Sequence, residues 1–130
     1  MKQKDFIPYE QALELKELYF NEPCGYLYNS SDDNPKPYPC DTLGLIQDWN
    51  TLYRKDTNNH LLSAPLYQQV FRWFREKHDV YIAPKKFDET RWIVEWEYCE
   101  FIGVFDFFED AEFACLQKLI SLVKEKNSEQ

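Results

Sequence analysis

Four cysteines and two histidines, Cys24, Cys40, Cys99, Cys115, His60 and His78, are the residues of this sequence best suited to hold a metal or attack a carbonyl. Zinc sites pre-order their ligands in closely spaced cysteine pairs. Here Cys24 to Cys40 and Cys99 to Cys115 are each 16 positions apart, and each pair splits between different local elements. The thiols are therefore read as small core residues, and no metal or cofactor is expected. A cysteine nucleophile would need an imidazole beside it in space, yet Cys99 on a strand and Cys115 on the apolar side of a helix hold positions of inert packing. Glu95 and Glu97 lie two apart on one strand, so their carboxylates share a face, as the acid and nucleophile of a glycosidase can. Alternating charge opposite an apolar row is also simply how a one-sided sheet meets water. Gly25, Gly44 and Gly103 are the only glycines and form no phosphate-cradling loop. The chemistry-bearing residues thus point away from catalysis, with a small hydrolase using Glu95, Glu97 or a cysteine kept as an alternative.

Two groups of residues suit binding. Tyr26, Tyr28, Tyr38, Trp49 and Tyr53 surround a proline-rich stretch, and exposed Tyr and Trp bury much area at little entropic cost when a partner docks. The expected contact surface is Tyr26, Tyr28, Tyr38 and Trp49, possessing an alternative role as the edge of a small core. Alanine at Trp49 and Tyr38 is then expected to abolish partner capture and leave the melting transition intact. The second group is acidic. From Trp92 to Gln117 the chain carries seven acids and no Lys or Arg. A one-sign field through Glu95, Glu97, Glu109 and Glu112 would mimic nucleic-acid phosphates and occupy a basic groove on a host protein. The plainer reading is solubility plus complementarity to a helix N-terminus.

Composition limits the function classes. With 130 residues and 44% hydrophobic side chains, 18% of the chain aromatic, one domain with a core of large planar side chains is expected. The formal charge is −8, opposing binding to a polyphosphate backbone, which is driven by Lys and Arg displacing counterions. Residues 1 to 65 carry 6 bases and 10 acids, residues 66 to 78 carry 3 and 1, and residues 79 to 130 carry 6 and 12. No direct nucleic-acid contact is expected. No apolar run approaches the roughly 20 residues of a bilayer-spanning helix, and acids stand where a secretory signal would be apolar. The expectation is a cytoplasmic chain without a membrane partner and with reduced thiols.

The elements that must position these groups follow from spacing. Pro8 opens a predicted helix to Phe20, ended by Asn21 and Pro23. "CGYLYN" reads as a strand, and residues 29–41, with Pro35, Pro37 and Pro39, as an exposed loop without regular structure. Between Asp41 and Leu62 strand and loop are preferred, because Asn50 and Thr51 do not favour a helix. Tyr67, Val70, Phe71 and Phe74 mark one face of a helix whose end carries Arg72, Arg75, Lys77 and His78, complementing the helix C-terminus. "DVYIAPKKF" reads as a short strand and "DET" as a turn. "RWIVEWEYCEF" reads as a single strand with Trp92, Val94, Trp96 and Tyr98 on one side, and Gly103 interrupts a further strand or a bulged continuation. A final helix begins at Glu109 with acids in its first turn, and residues 127–130 form a frayed tail. The order α-β-loop-α-β-β-(β)-α predicts a single α+β domain, a small antiparallel sheet covered on one face by about three helices. From Leu66 onward the succession superficially resembles a double-stranded-RNA-binding domain. Such domains place bases near the final helix's N-terminus, where this chain has Glu109, Asp110 and Glu112.

"FIPYEQALELKEL", "NEPC", "SAPLYQQVFRWFREK" and "AEFACLQKLISLVK" resemble a widespread group of small uncharacterised proteins from Bacteroidetes bacteria and their phages and prophages. The motifs span both ends and the middle of the chain and leave Gly25 to Leu61 uncovered. The group has no established activity, so the resemblance implies context only: a phage or mobile-element accessory protein, non-catalytic, acting by binding a protein or small ligand. An acidic inhibitor that blocks a host defence protein is the alternative from a different class.

Overall fold

The computed structural model describes residues 2–39, 48–52, 60–96 and 100–128. The fold is mixed α+β, and the chain divides into two compact units, residues 1–70 and 71–130. Against the expectation of one small sheet, each unit has its own three-stranded antiparallel sheet.

In the first unit, α1 (Tyr9–Glu17) follows Pro8, whose fixed φ and missing N–H suit a helix start. It buries Ala12 and Leu15. Its end is a Schellman motif: Tyr19 N–H donates to Lys16 O at 3.1 Å and Phe20 N–H to Leu15 O at 3.0 Å, with Leu15 and Phe20 both fully buried. Tyr19 takes the left-handed position at φ 65, where a Cβ crowds the following carbonyl and glycine is the usual residue. Its ring is 65% exposed. Tyr19→Gly is expected to raise stability by about 1 kcal/mol, read as a higher urea midpoint with unchanged slope.

The sheet has the order β2-β1-β3, from β1 (Tyr26–Asn29), β2 (Tyr38–Pro39) and β3 (Leu61–Ser63). Ser30 N–H donates to His60 O at 2.8 Å and Ala64 N–H to Tyr26 O at 3.0 Å, prolonging the β1–β3 ladder at both ends. The proline-rich stretch is therefore not wholly irregular. Tyr38 and Pro39 pair with Leu27 and Tyr26, and Pro39 is tolerated because β2 is the edge strand of this sheet among the described residues. The helix α2 (Trp49–Leu52) corrects the strand-and-loop expectation for that stretch: burial of Trp49 and Asn50 overrides their weak helix propensity.

The chain passes into the second unit within α3 (Tyr67–His78), which buries Tyr67, Val70, Phe71, Trp73 and Phe74. The second sheet has the order β4-β5-β6, from β4 (Lys85–Lys86), β5 (Trp92–Trp96) and β6 (Glu100–Phe105). The single strand predicted for Arg91 to Phe101 is thus two antiparallel strands, with Trp96 opposite Glu100. Alternation alone cannot reveal such a reversal when both arms keep the same polarity pattern. Gly103 lies opposite Val94 within β6. The Phe105 ring sits where a Cβ on Gly103 would be, at 2.9 Å, so glycine here gives the ring its resting place. The last helix, α4 (Phe108–Ser128), buries Ala111, Cys115, Leu116, Leu119, Ile120 and Val123, which recur at helical spacing.

Candidate functional site

The aromatic residues around the proline loop do not assemble into a surface. Tyr28 is buried, and its hydroxyl donates to Ile7 O at 2.7 Å. Trp49 is only 8% exposed, with its indole Nε1–H donating to Cys24 O at 2.9 Å. Both finish the core of the first unit, and their polar tips are satisfied by main-chain carbonyls, as a buried Tyr or Trp requires. Tyr26 is half-buried, its ring 4.7 Å from that of Phe6. Of the four expected anchors Tyr38 alone is exposed, at 37%. Tyr53 lies outside the described residues.

The acidic group is broken up as well. Glu95 is exposed, Glu109 is half-buried, and Glu112 is 8% exposed. Position 112 falls on the same helical stripe as Cys115, Leu116 and Leu119, so its side chain is drawn inward with them. Glu97 lies outside the described residues. Among the described residues, the acids counted along the chain do not form a continuous exposed face, because Glu112 is turned inward.

Two thiols are described, and both are buried and free. Burial pushes Cys24 up to about 12, against the smaller opposing pull of the Ser63 and Gln69 side chains. Burial, with Glu112 beside it, pushes Cys115 up to about 12. Thiolate is the reactive form, so native protein is expected to consume no iodoacetamide at Cys24 or Cys115 at pH 8, and both should label once it is unfolded in urea. Mass mapping of the modified peptides reads this directly. Cys40 and Cys99 lie outside the described residues. His78 packs edge-on to Trp73 at 4.7 Å, and burial together with the nearby Lys126 lowers its pKa. Among the described residues no three His, Cys, Asp or Glu side chains gather to hold a metal ion.

Exposed rings and cations come together elsewhere, at one end of the second sheet. Lys86, Trp92 and Phe105 are register partners across β4, β5 and β6 and so share a face. Lys86 Nζ lies 4.5 Å from the Trp92 ring centroid, and that ring meets Phe108, at the start of α4, edge-on at 4.9 Å. This cation-ring-ring stack ties the edge strand to the first turn of the helix. Just beyond it the Phe87 ring is 49% exposed and the Phe107 ring 66%.

The turn joining β4 to β5 is held by Asp88. Its Oδ1 accepts from the backbone N–H groups of Thr90 at 3.0 Å and Arg91 at 2.8 Å. Its Oδ2 accepts from Arg91 Nε at 2.8 Å and Nη2 at 2.7 Å. These bonds, the Arg91 side chain first, hold the carboxyl at about 2, so it is ionised throughout the ordinary range. The guanidinium, 4.9 Å from the Phe87 ring, is thereby fixed beneath that ring. Phe87 is presented by a hydrogen-bonded turn.

Sequence reasoning passed over these residues because they stand at strand ends, where alternation gives no face. The available signal was a pair of aromatics beside turn residues, "KKFDETRW" and "FDFFED". No helix among the described residues is long and apolar enough to cross a membrane. In comparisons with protein-family models, curated proteins and solved structures, nothing matches this chain.

Proposed function

We propose that the chain is a non-catalytic accessory protein of phage or mobile-element origin that acts by binding another protein. The resemblance of its end and middle motifs supports the context. The observation that carries the binding role is the exposed end of the second sheet, where Phe87 and Phe107 present apolar rings to solvent beside the ordered Lys86–Trp92–Phe108 stack. Large exposed rings are the usual anchors of protein interfaces, since they bury much area at little entropic cost when they are covered. A catalytic reading has less support: the two described thiols are buried and far from ionisation at neutral pH. The acidic-inhibitor reading also loses ground with Glu112 turned inward.

The test is affinity capture from lysate of the native host with Phe87→Ser/Phe107→Ser beside the wild type. The double variant should recover at least about tenfold less of a specific partner while circular dichroism shows that its fold is kept. Equal recovery removes this surface from consideration.

A further inference from the structure

We propose that the exposed end of the second sheet takes a basic partner, a protein segment whose apolar anchors are flanked by Lys or Arg. The inference rests on reading this surface as one that binds protein, and it adds the chemistry of the partner.

The charge at this end of the sheet is acidic. Glu89 in the turn between β4 and β5, and Asp106 and Asp110 where β6 runs into α4, are all exposed. None of the three is paired with a base among the described residues. The cations nearby are committed or face away. Arg91 is neutralised by Asp88. Lys86 donates to the Glu89 main-chain oxygen and lies over Trp92. Lys85 belongs to the row Lys85, Ile93 and Val104, one row further in, on the face of the strand opposite to Lys86. Three carboxylates without a base of their own thus stand at the end that presents Phe87 and Phe107.

The rings supply an independent observation. Two of them already carry a cation of the chain's own: Lys86 Nζ is 4.5 Å from the Trp92 centroid, and the Arg91 guanidinium carbon is 4.9 Å from that of Phe87. An aromatic face attracts a cation through its quadrupole, so this cluster favours positive charge. Phe87 and Phe107, 49% and 66% exposed, have surface left for a partner. A basic and apolar segment satisfies both features at once, its Lys or Arg heads meeting Glu89, Asp106 and Asp110 while its apolar side chains cover the rings. The net charge of −8 draws such a segment in from a distance. Other occupants fit less well. A polyphosphate is repelled by the carboxylates, and a second copy docked by this face sets the same acids against each other.

The experiment is fluorescence anisotropy on the full chain with three labelled peptides of equal length. The first carries Leu and Phe among Lys and Arg; in the second every base is replaced by Glu, and in the third every apolar residue by Ser. The first should bind with an affinity that falls as salt rises, and the other two at least about tenfold more weakly. Phe87→Ser/Phe107→Ser and Asp106→Lys/Asp110→Lys should each weaken the first peptide by about tenfold or more. The Asp106→Lys/Asp110→Lys variant should also bind the second peptide better than the wild type does, which loss of folding would not produce. Asp32→Lys/Asp33→Lys makes the same charge change at exposed positions of the first unit, and at about 0.15 M salt should leave the first peptide's affinity within about twofold.

Equal binding of the first peptide and either of the others overturns the proposal. So does a loss with Asp32→Lys/Asp33→Lys as large as that with Asp106→Lys/Asp110→Lys. A dimer in sedimentation velocity that Phe107→Ser removes would put a second copy on this face and overturns it too. If no peptide binds but Phe87→Ser/Phe107→Ser still loses its captured partner, the basic partner fails while the binding reading stands; if capture is also unchanged, both fail.

Discussion

Trp49→Ala is expected to lower stability by about 3–5 kcal/mol, the range for deleting a large aromatic from a packed interior, and in so small a unit to bring the urea midpoint close to zero. Two losses add. The indole is buried, so its removal leaves a void that a four-residue helix cannot fill by collapsing. The Nε1–H bond to Cys24 O, at 2.9 Å, also disappears, leaving a carbonyl with one partner fewer next to the buried thiol. Trp49→Phe separates the two: it keeps most of the volume and should cost about 1–2 kcal/mol, the worth of the bond plus a smaller void. A readout that a general softening would not single out is the thiol. With α2 loosened, Cys24 should label with iodoacetamide under native conditions while Cys115, in the other unit, stays protected. Melting unchanged by Trp49→Ala would mean that the indole is a surface residue after all.

The second large effect is predicted for Asn50. Its side chain is 1% exposed and is satisfied on both sides: Nδ2–H donates to Phe20 O at 2.9 Å, and Oδ1 accepts from Ser63 N–H at 2.9 Å. One amide thus joins the end of α1, the helix α2 and the strand β3. Asn50→Ala strands a buried carbonyl and a buried N–H, and each lost partner costs about 1–3 kcal/mol, so a loss of roughly 2–4 kcal/mol is expected. Denaturant melts give the magnitude, and hydrogen exchange at the Ser63 amide gives the location.

Asn50→Asp is a sharper probe. The carboxylate still accepts from Ser63 but has no proton for Phe20 O, and burial raises its folded-state pKa above the unfolded value. The folded state then binds more protons than the unfolded, so this variant should regain stability relative to wild type as pH falls through the raised pKa toward the unfolded one. A variant whose deficit is the same at pH 4 and pH 8 would show that the amide's donor bond is not what matters.

Legibility in the sequence followed the repeat length of each signal. The helices α1, α3 and α4 were readable because apolar residues recur at helical spacing over two or more turns, and Pro8 and the acids at 109 and 110 mark two of their starts. The strand Tyr26–Asn29 was readable as a short aromatic run after a breaker. The short elements were not. Tyr38–Pro39 and Lys85–Lys86 are two residues each, too few for any period, and exist only because β1 and β5 offer them a ladder. The helix at Trp49–Leu52 is a single turn, stable only through the burial of Trp49 and Asn50.

Residue type and spacing alone determined the α+β character, the acidic balance and the absence of closely spaced ligand pairs, since these depend on properties local to the chain. They did not determine which aromatic rings meet water. Tyr28 and Trp49 were as good candidates by type as Phe87 and Phe107, and the tertiary structure reversed them. A ring's exposure depends on neighbours distant in sequence: Ile7 and Cys24 supply the carbonyls that let Tyr28 and Trp49 be buried. Phe87 and Phe107 sit past the ends of their strands, where the sheet has no further row to cover them. The same holds for Glu112, an acid like its neighbours in the chain and unlike them in space, because one helical stripe carries it inward with Cys115 and Leu116.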